Sequence, residues 1–199
     1  MAGDKVNRRD FFKLGGSVAL ALGGAAFSER LVAAQAGPLE IRCLRNYSIG
    51  RYYFDPIGLY VTRGQTVRWL LESEGFTVAA FHPDNDNHEL RIPENAKPFN
   101  SVRAPAGLAD GSFEWQFDVD GTYDFYSYGH EVIGMVGRIV VGTPGGPGEK
   151  PFGYGSREGR APIFRDAIRV FQFAKSDLIV QKKIIRYPTK ELARRFPIG

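Results

Sequence analysis

The stretch from Tyr123 to Val141, YDFYSYGHEVIGMVGRIVV, constrains the fold of this chain more than any other part of it. It begins with closely spaced aromatic residues, which favour a strand that runs into a loop. The loop contains His130 and then Met135, and a β-branched segment ending at Val140 and Val141 closes the stretch. The pattern therefore predicts two strands joined by a loop that contains a histidine and a methionine.

The same stretch resembles the C-terminal metal loop of the cupredoxins, which are small blue-copper electron carriers. In that family a tyrosine precedes a cysteine, a histidine follows three residues after the cysteine, and a methionine comes five residues after the histidine, before a Val-Gly pair and a closing strand. The residues of this chain that fall in step with the pattern are Tyr123, Tyr126, Gly129, His130, Gly134, Met135, Val136 and Gly137. Ser127 stands at the position of the family's cysteine.

A second segment extends the resemblance. The sequence TVRWL, from Thr66 to Leu70, follows a β-branched segment and a Gly turn, and a T-V-x-W strand recurs in cupredoxins. Earlier in the chain, Leu39, Ile41 and Cys43 alternate as on one face of a strand. The resemblance implies an all-β, Greek-key cupredoxin-like β-sandwich over residues 37–142. The single cysteine excludes an intramolecular disulfide, and we expect it to be a small buried hydrophobe.

The resemblance implies a type 1 copper site, but this chain does not keep its ligands. Such a site needs two imidazoles and a thiolate, with a weak axial thioether. The Ser127 hydroxyl is neutral at pH 7 and cannot replace the thiolate. The spacing from the TVRWL strand places the family's first histidine at Phe76 or Thr77, and the downstream RIPE turn favours Phe76. We expect His130 to serve as a hydrogen-bonding loop residue and Met135 as core packing. No metal is therefore expected at these degenerate positions, and copper in an altered site is the alternative.

A loop farther back in the chain holds a second set of potential ligands: His82, Asp84, Asp86 and His88. It lacks the glycine and terminal glutamate of a calcium loop and the spacing of common zinc sites, although it could in principle chelate a cation. If residues 76–81 form a strand, His82 lies towards the opposite end of the sandwich from His130, and the three histidines do not meet. We prefer a solvated loop held by Asn and Asp side-chain turns, within a surface excursion over residues 82–112.

Residues 1–36 resemble a twin-arginine export signal. The sequence NRRDFFKL over residues 7–14 precedes an apolar stretch that ends at Phe27, and a small-x-small site follows at residues 34–36. Such a segment directs the mature chain to the periplasm and is set aside in fold reasoning. The alternative is an uncleaved helix over about residues 10–36 that anchors the domain to the inner membrane.

The C-terminal part of the chain differs in composition from the body. Residues 143–160 are rich in glycine and proline, which predicts a linker. Residues 161–199 form a basic tail, with a helix predicted over residues 163–174, a helical or extended piece as far as Ile185, and a short last helix from Thr189. Because pieces of this length are unstable alone, they must dock on the sandwich or on another protein.

The charge distribution and the sequence motifs of the chain limit the classes of function that it can have. Residues 37–159 carry about −5 and residues 160–199 about +7, while the whole chain carries +4. An exported chain does not suit nucleic acid, so the basic tail predicts an acidic protein face or anionic lipid as its partner. No Ser-His-Asp order, paired acids or phosphate loop is present in a credible context, and we expect no enzymatic activity.

Together these features predict a cupredoxin-like accessory or docking subunit of a membrane-associated electron-transfer complex, photosynthetic or respiratory, that has lost its type 1 copper site. The alternative is a periplasmic copper-binding electron-transfer protein with an altered site.

Overall fold

Two β-sheets pack face to face in this protein, whose computed structural model describes residues 37–71, 75–103 and 111–191. The strands, in chain order, are β1 (Leu39–Asn46), β2 (Arg51–Asp55), β3 (Gly58–Val61), β4 (Thr66–Leu71), β5 (Ala79–Ala80), β6 (Ser112–Gln116), β7 (Gly121–Tyr126), β8 (Val136–Val141) and β9 (Ile184–Ile185). One sheet has the order β2-β1-β4-β6, and the other has the order β5-β7-β8-β3-β9. The β-sandwich predicted for residues 37–142 is thus confirmed as a mostly β, cupredoxin-like fold.

Strand pairing brings distant parts of the chain together. β1 pairs in parallel with β4, and β3 pairs in parallel with β8, while β7 and β8 form an antiparallel pair. In this last pair Tyr126 lies opposite Val136, so residues 127–135 form the loop between two central strands. The sheet therefore fixes both ends of the loop that resembles the cupredoxin metal loop.

The main core lies between the two sheets. Trp69 of β4 is fully buried, and its ring centroid lies 5.5 Å from those of Phe99 and Phe125. Cys43 is buried in the same core, as the alternation in β1 predicts. Gly137 has a steric role, because a Cβ at this position would lie 2.4 Å from the Phe125 ring. The close approach of β8 to this ring explains why a glycine interrupts an otherwise β-branched strand.

The C-terminal tail packs on the outer face of the five-stranded sheet. It forms helices α1 (Arg165–Phe171) and α2 (Ser176–Lys182), and β9 then pairs antiparallel with the edge of β3. A second apolar cluster joins the tail to the sheet: Ile57, Ala79, Phe81, Tyr126, Val136, Val140, Ala167, Val170, Phe171, Ala174, Ile179 and Tyr187. Every residue of β7 and β8 is consequently buried, as in sheets covered on both faces.

The predicted helix over residues 163–174 is shorter in the structure, and the second predicted piece divides into a helix and a strand. Lys183 ends α2 with a positive φ of 66°, which lets the chain turn back into β9. Residues 189–191 are helical, and the rest of the predicted last helix lies outside the described residues. The docking partner required by these short helices is thus, for the described residues, the sandwich itself.

The glycine- and proline-rich segment 143–160 is held against the body of the domain. Pro147 and Gly148 are buried, and the backbone N–H groups of Gly153 and Gly155 donate to the buried Glu89 carboxylate. A Cβ on Gly148 would lie 2.6 Å from the backbone oxygen of Thr122. We call residues 143–160 the strap, because they cross the outer face of the sheet before the tail begins.

A buried ionic cluster lies beneath the strap. Asp124 of β7 stands opposite Arg138 of β8 and accepts hydrogen bonds from its Nε (2.7 Å) and Nη2 (3.0 Å). Arg91 donates its Nε to the same carboxylate at 2.7 Å and its Nη2 to the Gly148 carbonyl at 2.7 Å. Burial by itself lowers the pKa of Arg138, but the charge and hydrogen bonds of Asp124 outweigh it and raise the pKa on balance. The cluster ties the strap to the sheet.

The proposed export signal or anchor of residues 1–36 lies outside the described residues. Within the described part of the chain, the helices are too short or too polar to cross a bilayer.

Candidate functional site

The loop between β7 and β8 is held in shape by its own backbone. The N–H of Ser127 donates to the Met135 carbonyl at 3.1 Å, and the N–H of Met135 donates to the His130 carbonyl at 3.0 Å. Residues Glu131–Ile133 form a single 3₁₀ turn, which ends at Gly134 with a φ of 87°. A left-handed residue closes the turn and therefore suits glycine.

The loop brings together the residues that the sequence assigned to the degenerate type 1 positions. Ser127 Oγ lies 3.4 Å from His130 Nδ1, and the Phe76 ring packs edge-on against the His130 ring with centroids 5.6 Å apart. The ring of Tyr52 in β2 lies 4.8 Å from the imidazole and 5.9 Å from the Phe76 ring, so the three rings form one cluster. Met135 is fully buried in the main core, as is Phe76 at 3% exposure. The four residues thus occupy one region at the end of the sandwich.

The Ser127 hydroxyl bonds to its neighbours in this region. It accepts from the Thr77 N–H at 3.2 Å and lies 3.3 Å from Thr77 Oγ1. Thr77 Oγ1 in turn accepts from the Tyr128 N–H at 2.8 Å. These hydrogen bonds connect the segment after residue 75 to the β7–β8 loop. In a cupredoxin, the metal would make this connection.

The residues present do not fit type 1 copper. The region offers one imidazole and one thioether. A neutral hydroxyl stands at the thiolate position, and an aromatic ring stands at the position of the family's first histidine. Burial of the Phe76 side chain contributes about 1.5–3 kcal/mol of apolar transfer free energy, so the ring stabilises the space that it fills. We derive no electron-transfer step through this region.

Helix α1 supports the loop from the tail side. The Asp166 carbonyl oxygen lies 3.2 Å from the position a Cβ would take on Gly134. Arg51 Nη1 lies 3.4 Å from the Ile133 carbonyl and 3.5 Å from the Asp166 carboxylate, so it links β2, the loop and α1. The tail therefore contributes directly to the position of the loop.

Burial lowers the pKa of His130, and the nearby positive charge of Arg45 lowers it further, although a hydrogen bond to the Tyr128 backbone raises it. The net effect favours the neutral imidazole. Arg45 itself stacks over the exposed Tyr47 ring at 4.2 Å and over the Tyr52 ring at 5.1 Å. The outer surface around His130 is thus aromatic and cationic.

Among the described residues, the four potential ligands of the loop from His82 to His88 do not form one cluster. His82 Nδ1 accepts from the Asp84 N–H at 3.0 Å in a local turn, as expected of a polar loop. Asp86 and His88 instead approach Glu131 of the β7–β8 loop, and the ligand atoms of these three residues all lie within 4.8 Å of one another. His88 therefore returns to the residue next to His130, because residues 81–91 fold back over β7 through the bond from the Arg91 N–H to the Phe81 carbonyl.

Sequence reasoning missed the roles of Glu131 and of the ionic pair on β7 and β8. A charge at one position in each of two otherwise apolar strands, Asp124 and Arg138, was a usable signal, because hairpin register places them opposite each other. Glu131 offered no such signal. Its partner His88 lies in a segment whose path the local sequence does not specify.

Comparisons with known proteins find a similar curated protein. The chain is 34% identical over 99 residues to the copper-resistant cuproprotein CopI of Rubrivivax gelatinosus, a match that covers 44% of this chain and 59% of that protein. The match thus spans less than two thirds of the length of this curated relative. No family model matches the chain.

Among solved structures, pseudoazurin from Methylobacterium extorquens AM1 is 17% identical, with a TM-score of 0.48 and coverage of 73% of this chain and 98% of that one. Pseudoazurin from Sinorhizobium meliloti is 23% identical, with a TM-score of 0.43 and coverage of 55% and 76%. Plastocyanin from Dryopteris crassirhizoma is 19% identical, with a TM-score of 0.38 and coverage of 52% and 99%.

The fold assignment rests on the strand order of the two sheets and on the β7–β8 loop. Both place Phe76, Ser127, His130 and Met135 at one end of the sandwich. The described residues form a mostly β, cupredoxin-like fold, in which Ser127 and Phe76 occupy the positions that the family pattern gives to a cysteine and a histidine.

Proposed function

We propose that this protein is a cupredoxin-like accessory or docking subunit of a membrane-associated electron-transfer complex, and that it works without type 1 copper. The observation that carries the proposal is the hydrogen-bonded Ser127 at the thiolate position, next to Phe76 at the position of the first histidine. The chain keeps the β7–β8 loop but has a hydroxyl and a phenyl ring at two of the ligand positions. It therefore retains the shape of the cupredoxin loop without the redox centre.

The end of the sandwich offers a surface for protein contact. Val132, in the 3₁₀ turn of the loop, is 48% exposed, and Tyr47, beyond β1, is 77% exposed. Tyr47 connects to the loop through Arg45, Tyr52 and His130, which stack in sequence. Exposed aromatic and arginine side chains are enriched where proteins bind one another, and this composition supports a docking role.

The export signal of residues 1–36 supports a periplasmic location, with retention at the inner membrane as the finer proposal. Partners are proteins of the complex, and the basic tail suits an acidic protein face or anionic lipid.

Redox-active copper that depends on His130 separates this proposal from the alternative. The full chain, purified without an affinity tag, is titrated with Cu⁺ and Cu²⁺, dialysed and assayed for retained metal and visible absorption. We expect no intense thiolate-to-copper band and no redox-active copper that depends on His130. A copper-dependent redox couple that disappears in His130→Gln would overturn the proposal.

Docking is tested separately by copurification from membranes of the native host. A Val132→Asp variant should lose the membrane subunits that the wild-type chain retains, because the substitution places a charge on the proposed contact. A matched Val102→Asp variant changes a side chain that is 64% exposed and lies in the 3₁₀ turn Ser101–Arg103, and it should retain them. Equal recovery with both variants argues against docking through the β7–β8 loop.

The similarity to a copper-resistant cuproprotein favours a second candidate function, a periplasmic copper-binding protein with an altered site. It predicts bound copper and redox activity that both depend on His130.

A further inference from the structure

Two buried polar side chains face each other behind the β7–β8 loop without ordinary hydrogen bonds. His88 is fully buried, and among the described residues neither of its ring nitrogens has a hydrogen-bond partner. Its Nε2 lies 3.2 Å from Glu131 Oε1, and Glu131 Oε2 is also buried without a partner. Buried polar groups are nearly always satisfied by protein, water or an ion, so a ligand that bridges the two side chains would satisfy this pair.

The imidazole is held rigidly in this position. Tyr126 and Phe81 pack against the His88 ring with centroid distances of 4.6 and 4.9 Å. Arg160, at the end of the strap, donates its Nη1 to the His88 carbonyl at 2.6 Å and fixes the backbone. Tyr126 and Phe81 form an apolar shell on the imidazole, and such a shell limits solvent access at a metal site.

A third oxygen ligand lies at the solvent side. Asp86 is exposed, adopts a positive φ of 58° and places a carboxylate oxygen within 4.8 Å of the other two ligand atoms. His88 Nε2 and Glu131 Oε1, 3.2 Å apart, would subtend about 100° at an ion roughly 2.1 Å from each. This angle lies between octahedral and tetrahedral values, and a small rotation of Asp86 would complete a three-ligand face with room for water.

We propose that Asp86, His88 and Glu131 bind one divalent transition-metal ion, in a site separate from the degenerate type 1 positions. One imidazole and two carboxylates suit Cu²⁺ and Zn²⁺ and lack the thiolate that holds Cu⁺. Of these two ions, Cu²⁺ binds such N/O sets more tightly. Glu131 follows His130 directly in the chain, but its carboxylate meets His88, whose ring packs on Tyr126 of the second apolar cluster. The site goes beyond the proposed docking function and does not depend on it.

The test uses the full chain without a tag, titrated with Cu²⁺ and separately with Zn²⁺ by calorimetry. We expect one ion of either metal per chain, in competition with each other. The Cu²⁺ form should give an electron paramagnetic resonance spectrum with coupling to one imidazole nitrogen and without thiolate coordination. Glu131→Gln keeps the side-chain shape and should weaken binding at least about tenfold, and Asp86→Asn should do so by a similar or smaller factor.

His88→Gln should remove the imidazole coupling, and thermal unfolding of each variant shows that the fold is kept. If His88→Gln fails to fold, the Glu131→Gln and Asp86→Asn variants still decide the matter. The controls are His82→Gln, on the same loop, and His130→Gln, on the same turn, which should both bind within about twofold of the wild type.

Absence of binding by the wild-type chain, or unchanged affinity in Glu131→Gln, overturns the metal site and leaves the docking function untouched. Binding that depends on His130 and not on His88 also overturns it, and in that case contradicts the proposed loss of the original site as well.

Discussion

Replacing Asp124 with asparagine would remove a negative charge that lies between two buried guanidinium groups. The carboxylate is fully buried and accepts three bonds of 2.7 to 3.0 Å from Arg91 and Arg138, whose side chains are 1% and 8% exposed. Asparagine has nearly the same shape, so the substitution changes charge and donor pattern while it leaves packing almost unchanged. One amide oxygen cannot accept all three bonds, and the amide NH₂ would face N–H donors.

The expected loss is about 3–5 kcal/mol of unfolding free energy, the range for removing one partner of a buried ion pair. This value is a large fraction of the roughly 5–15 kcal/mol that stabilises a typical domain. The remaining partner, Glu89, bonds Arg91 at 3.0 Å, so Arg138 bears most of the loss. Because Arg138 and Arg91 also bind the Gly148 carbonyl, we expect the strap to loosen with the core.

Urea unfolding of the full chain, followed by tryptophan fluorescence, measures the loss as a lower midpoint. Limited proteolysis should show earlier cleavage within residues 143–160. Glu114→Gln is a matched control, because it removes a carboxylate from an Arg68 pair whose side chains are 40% and 43% exposed, and it should cost less than about 1 kcal/mol. A loss below about 1 kcal/mol in Asp124→Asn would refute the account of the cluster as the attachment of the strap.

Three further predictions concern the loop and the strap. The double variant Phe76→His, Ser127→Cys restores the missing imidazole and thiolate. With added Cu²⁺ it should show an intense visible band that neither single variant shows. If the double variant shows no such band, the loop no longer has a metal-binding geometry. Burial lowers the pKa of His130, so the unfolded chain binds a proton at this residue more readily than the folded chain, and stability should fall as pH drops below about 6.5. The difference between the urea midpoints at pH 8 and pH 5 should therefore be smaller in His130→Gln than in the wild type. Equal differences in the two proteins would contradict this account. Gly148→Ala puts a methyl group 2.6 Å from the Thr122 oxygen and should destabilise the chain by about 1–3 kcal/mol in urea unfolding, whereas Gly145→Ala, which has open space, should not.

The degenerate positions were predictable because the family pattern is local. Ser127, His130 and Met135 lie within nine residues, and a strand-loop-strand pattern brings them together whatever the rest of the chain does. Phe76 came from spacing after the TVRWL strand, and its contact with His130 agrees with that spacing. The early strand with Cys43 and the first C-terminal helix followed in the same way from periodic patterns.

Tertiary structure alone decided what lies on the outer face of the five-stranded sheet. The run of six residues in β8, VGRIVV, is compatible with burial on both faces, but it does not say which segment covers the second face. The strap and tail do so through contacts that span long stretches of chain, such as the bond from Arg91 to the Gly148 carbonyl. The approach of His88 to Glu131 has the same origin, since 43 residues separate them. Local sequence encodes the hydrophobic periodicity of strands and helices and the positions of turns. Contacts between distant segments depend instead on the free energy of the whole packed domain. For that reason the proposed metal site became visible only in the folded chain.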